Sequence, residues 1–81
     1  MSLDSTWQFV GVGPDGQSFM IEGLDVWKHE WRDTKERARV KDPRYQQDFT
    51  FHVWEIRNED RIVIFAAGEF SNCMWGFYVR S

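Results

Sequence analysis

The chain has 81 residues, a net charge of −3, 42% hydrophobic and 17% aromatic residues. That length fits a single compact domain over residues 1–81, and a chain of this size buries only roughly 60–65% of its unfolded surface, so the core must be thin. One cysteine, Cys73, excludes an intramolecular disulfide; the acidic balance argues against a broad nucleic-acid footprint; no apolar run approaches the ~20 residues that span a membrane. The first residues lack the basic and apolar regions of a signal peptide, and the expected setting is cytoplasmic.

In chain order, residues 7–12 alternate loosely and are aromatic or β-branched, which predicts a strand. Gly13, Pro14, Asp15 and Gly16 form the strongest turn signal, with proline presetting φ and the Asp-Gly pair supplying a left-handed position. Residues 17–22 then read as the returning strand of an N-terminal hairpin, with Phe19 and Ile21 on one side.

Residues 23–40 carry two competing periods. At period two, Trp27, His29 and Trp31 share a face, and the second strand continues through a bulge at Gly23 to about Arg32, followed by a loop. At period 3.6, Leu24, Trp27, Trp31 and Ala38 form a helical stripe. The strand is favoured; the alternative is a helix over residues 24–40 packed on the sheet.

The last third is the most regular. Residues 48–57 read as a long strand, Asn58, Glu59 and Asp60 as a tight turn, and residues 61–68 as a second strand. Residues 69–74 read as a turn in which Asn72 can take a left-handed conformation, and residues 75–80 as a closing strand. Residues 62–67 are apolar on both faces. Such a strand must be covered twice: by a second layer, a helix or another copy of the chain. Phe49, Phe51, Val53, Trp75, Phe77 and Val79 are expected on one dry face; His52, Trp54, Ile56, Met74 and Tyr78 on a mixed one. Together these signals predict an all-β fold, a small antiparallel sheet of five or six strands curled into a barrel or half-barrel.

Two sets of residues stand out as candidate contact surfaces. Trp27, His29, Trp31, His52, Trp54 and Tyr78 form an aromatic and histidine set suited to stacking or to a protein interface, since Trp and Tyr give large contact area at low entropic cost. Their simplest role is packing. Arg37, Arg39, Lys41 and Arg44 are candidate anion contacts in a stretch, residues 28–44, that holds seven basic against four acidic side chains. Their simplest role is solvation. His29, His52, Cys73, Glu30, Glu55 and Glu69 are acceptable metal-ligand types but show no short ligand spacing, so no metal and no cofactor is predicted. Cys73 with His29 or His52 makes a conceivable nucleophile pair, yet no signature surrounds it. The expected function is therefore a non-enzymatic protein-interaction or self-associating module, with a homodimer favoured, no membrane and no nucleic acid. A small-ligand or anion-binding domain with an aromatic pocket and a basic loop is the alternative.

Overall fold

A computed structural model of the chain describes residues 7–42, 47–71 and 73–80. The strands are β1 (Trp7–Pro14), β2 (Met20–Ile21), β3 (Leu24–Asp25), β4 (Arg32–Asp42), β5 (Gln47–Asn58), β6 (Arg61–Ser71) and β7 (Met74–Arg80), with a 3-10 turn at Val26–Lys28. Five of them form one antiparallel sheet in the order β1-β7-β6-β5-β4, while β2 and β3 form a separate two-residue ladder. The all-β class is as expected. The sheet is curled: Trp7 and Phe9 from one edge and Ala38 and Val40 from the other pack into a single cluster with Phe51, Val53, Ala66 and Tyr78. The two edges approach each other, but β1 and β4 remain the ends of the strand order.

The C-terminal strands follow the sequence pattern. Asn58 pairs with Arg61 across the two-residue turn Glu59-Asp60, where Glu59 takes φ 59°. In the β6–β7 turn the left-handed residue described is Cys73, with φ 59°; the expectation for Asn72 lies outside the described residues.

The N-terminal half departs from it. The turn exists, closed by the Gln17 N–H on the Pro14 carbonyl, with Gly16 at φ 79°. But β1 pairs with β7, not with the segment after the turn, so the expected hairpin is replaced. The reason is the apolar content of that segment. Phe19, Ile21, Leu24, Val26 and Trp27 pack onto Ile56, Val63, Phe65, Ala67 and Phe77, so the chain leaves the plane of the sheet and crosses its face as a lid. Phe19 stacks on Phe77 at 4.1 Å, over Gly11 and Gly13 of β1. Asp25 fastens the crossing: its carboxylate accepts from the Ser18 hydroxyl (2.7 Å) and from the N–H groups of Phe19 (3.3 Å) and Trp27 (3.1 Å).

The two readings of residues 23–40 are both corrected. Glu22 and Gly23, at φ 52° and 78°, are the turn between β2 and β3 rather than a bulge. Only three residues are helical, as a 3-10 turn, and the long strand begins at Arg32, where the favoured reading ended it. The charged segment from Lys35, expected as a loop, is strand as far as Asp42. Its signal is a strict alternation: Ala38 and Val40 are buried, while Arg37 and Arg39 are exposed.

The expected faces also need correction. Directly paired residues share a face, and Val53 pairs with Ala66, which pairs with Tyr78; Trp54 pairs with Phe65, which pairs with Val79. Phe49, Phe51 and Val53 therefore lie with Tyr78 on the concave face. Trp75, Phe77 and Val79 lie with Trp54 and Ile56 on the lidded face.

Candidate functional site

The lidded face collects four of the six candidate aromatic and histidine residues. Trp27 and Trp31 flank the end of the 3-10 turn with centroids 4.9 Å apart, Trp31 meets Trp54 at 5.5 Å, and His52 stacks on Trp54 at 5.4 Å and 15°. Trp75 joins them, 5.5 Å from Trp27 and 5.7 Å from Trp31. The sequence pattern alone puts Trp75 on the opposite face; the β6–β7 register is what places it here. Two indoles are fixed by hydrogen bonds, Trp31 Nε1 to the Val26 carbonyl (2.7 Å) and Trp54 Nε1 to the Ala67 carbonyl (3.1 Å). The buried Nε1 atoms of Trp27 and Trp75 meet no acceptor among the described residues, and their rings stand edge to face at 84°. That arrangement sets the edge of one ring against the face of the other, the geometry that aromatic pairs prefer. His29 caps the 3-10 turn through its backbone N–H. Tyr78 is on the other face, buried between Phe9 and Phe51. The exposed large apolar side chains among the described residues are all aliphatic: Val10, Met20, Ile62 and Ile64.

Beside this ring ladder runs β4. Arg37 pairs with His52, Arg39 with Thr50, and Lys41 with Asp48; Arg44 lies outside the described residues. Between Asp33 (opposite Trp54) and Arg37 (opposite His52), β4 bulges, setting residues 34–36 against Val53 alone, with Lys35 at φ 73°. Polar contacts hold the bulge: Thr34 Oγ1 donates to the Val53 carbonyl (2.8 Å) and accepts from Glu36 N–H, and the Lys35 N–H donates to Asp33 (2.9 Å). Asp33 also takes His52 Nδ1 at 3.2 Å and sits 3.7 Å from Arg37. An ionised carboxylate only accepts, so His52 carries its proton on Nδ1. The Lys35 N–H, then His52 and Arg37, hold the Asp33 carboxyl below its ordinary pKa against partial desolvation. Asp25 is lowered likewise, by the Ser18 hydroxyl first and then the Phe19 and Trp27 N–H groups and Lys28, again against desolvation.

The concave face has a third surface that the sequence pattern does not single out. Glu55 pairs with Ile64 and Arg57 with Ile62, so these four share the concave side near the tip of the β5–β6 hairpin. Ile62 is 53% exposed and Ile64 39%. Next to them a cleft of about 300 Å³ is lined by Glu30, Trp31, Arg32, Glu55 and Arg57. Arg57 Nε lies 3.6 Å from the mostly buried Glu55 carboxylate. Across the opening, Arg80 covers the Trp7 ring at 4.9 Å and pairs with Glu36 at 2.9 Å, tying β7 to both edges of the sheet.

Among the described residues no cluster of three or more His, Cys, Asp or Glu side chains is arranged to hold a metal. Cys73 is exposed in the β6–β7 turn, its N–H on Glu69, while His52 is engaged by Asp33 and Trp54. No helix among the described residues is long and apolar enough to cross a membrane. No family model, curated protein or solved structure matches the chain.

Proposed function

We propose that this domain is a non-enzymatic interaction module that associates through the open end of its concave face. The observation that carries this reading is the exposure of Ile62 and Ile64 on β6, the central strand of the sheet. A central strand ordinarily has its apolar side chains covered. β6 is covered further along: Val63, Phe65 and Ala67 by the lid, Ala66 by Phe51 and Tyr78. Two uncovered isoleucines flanked by Glu55 and Arg57 have the composition of a small protein contact, apolar at the centre and charged around it. The free thiol of Cys73 suits a reducing, cytoplasmic setting.

The test is sedimentation velocity across a concentration series, on the order of 10–500 µM, where weak contacts of this size associate. Growth of the weight-average mass with concentration in the wild type, and its loss in Ile64→Asp, is the expected result. A constant monomer mass throughout removes the reading.

A second reading rests on a different observation. Arg39 and Thr50 are paired neighbours beside Arg37 and His52, and Arg39 is exposed with no ion-pair partner among the described residues. This strip suits an anion. The expected signature is a phosphate-induced chemical-shift change confined to Arg39 and its neighbours and lost in Arg39→Ala; shifts spread evenly over the surface would remove it.

A further inference from the structure

Both sheet edges resist pairing with another strand. β4 carries the bulge at residues 34–36 and the exposed Arg37 and Arg39; β1 is interrupted between Phe9 and Gly11 and ends at Pro14. Bulges, like charges and proline are the devices that blunt sheet edges. Association by edge-to-edge pairing of two copies is therefore disfavoured, and the contact is assigned to a face: of the exposed apolar side chains among the described residues, Ile62 and Ile64 stand two residues apart on one side of one strand, at the concave tip of the β5–β6 hairpin.

That surface is complementary to itself. Arg57 stands beside Ile62, and Glu55 stands beside Ile64 one step further along the same face. A two-fold axis lying in the contact plane, perpendicular to β6, runs the two β6 strands antiparallel. It lays Ile62 over Ile64 of the second copy, and Ile64 over Ile62. The same operation lays β5 over β5 in reverse, so that Arg57 of each copy stands over Glu55 of the other, at the cleft also bounded by Glu30 and Trp31. We infer that the occupant of this face is a second copy of the chain, held in that isologous arrangement by the Ile62–Ile64 contacts, with the Arg57–Glu55 pair inside each copy (3.6 Å) exchanged for two reciprocal Arg57–Glu55 pairs across the axis. Two-fold contacts require this kind of self-complementarity, and the opposite charges fix the register of the strands more than they add affinity.

This inference rests on the interaction reading above and makes a sharper demand. Glu55→Arg and Arg57→Glu each place like charges across the axis, so each alone is expected to weaken self-association by about tenfold or more. Mixed in equal amounts, the two variants carry opposite charges at every contact. The native Arg57 of the first meets the native Glu55 of the second, and the two introduced side chains pair as base and acid. The mixture is expected to form a heterodimer at wild-type concentrations in sedimentation and in native mass spectra, where the two masses separate. Circular dichroism on each variant alone checks that it is folded. If the wild type dimerises and Ile64→Asp abolishes it, but the mixture stays monomeric, the two-fold register is wrong while the interaction reading stands. If the wild type never dimerises, both fall.

Discussion

The two faces of β6 are built by opposite means. On the lidded face, Val63, Phe65 and Ala67 are sealed by residues far away in sequence, through a crossing segment that contributes Phe19, Ile21, Leu24, Val26 and Trp27. On the concave face the curl of the sheet itself buries Ala66 against Phe51 and Tyr78, and then runs out, leaving Ile62 and Ile64 in solvent. A curl can cover only the part of a strand where both edges bend inward. β4 starts at Arg32 opposite Glu55, so on that side the tip of the β5–β6 hairpin, from Ile56 onward, extends past its neighbour. The comparison separates residues that hold the domain together from residues available to something outside it.

Substitutions in the two regions are expected to sort accordingly. The largest effect belongs to Trp31→Ala, which removes a ring touching Trp27, Trp54, Phe65, Trp75 and Phe77 and the bond to the Val26 carbonyl. A loss of about 3–5 kcal/mol is expected in urea unfolding, the range for truncating a large packed aromatic. A loss below about 1 kcal/mol would mean the lid does not seal the core.

Next is Gly68→Ala on the concave face, where a Cβ would meet the buried Phe51 ring at 2.6 Å from Cε1 and 2.8 Å from Cγ. Phe51 is held by Phe49 and Tyr78, so the overlap is expected to cost about 1–3 kcal/mol. An unchanged midpoint would show that the concave core is looser than its packing indicates.

The lid's fastening is open to test by pH. The Asp25 carboxyl is lowered in the folded state, so its contribution is present above the ordinary carboxylate value of ~3.9 and is lost as pH falls through the lower folded value. Asp25→Asn should therefore be less stable than wild type at neutral pH, with the gap narrowing as both are titrated toward about pH 3. A gap independent of pH would assign the effect to lost hydrogen bonds of the neutral kind.

A smaller change, of opposite sign, is expected from Lys35→Gly. A non-glycine residue at φ 73° is strained, and relief of that strain is expected to raise stability by up to about 1 kcal/mol, reduced by the greater freedom of glycine in the unfolded chain. A drop in the unfolding midpoint would show that the bulge holds Lys35 without strain.

The same contrast explains what the sequence discloses. The β5–β6 and β6–β7 hairpins are legible because local alternation and short turns specify them, as where Asn58 meets Arg61. The pairing of β1 with β7 joins opposite ends of the chain, Trp7 with Arg80, and no local pattern encodes it. Trp27, His29 and Trp31 alternate as in a strand although they straddle the end of a 3-10 turn, because the spacing needed to point two indoles at one cluster happens to match period two. Of the candidate site, Trp27, Trp31, Trp54 and His52 come together much as the pattern implies, whereas Tyr78 falls on the other face because a face assignment depends on inter-strand register. The need of residues 62–67 for cover on both sides is legible in their composition; where that cover thins, at Ile64, follows from β4 starting only at Arg32, opposite Glu55.

The most direct test of this division is to measure stability and mass on the same Ile64→Asp sample. If Ile64 belongs to an open contact face, urea unfolding at monomeric concentration stays within about 0.5–1 kcal/mol of wild type, as for surface substitutions, while the concentration-dependent rise in mass disappears. A fall in stability comparable to that of Trp31→Ala, with the association unchanged, would contradict the account.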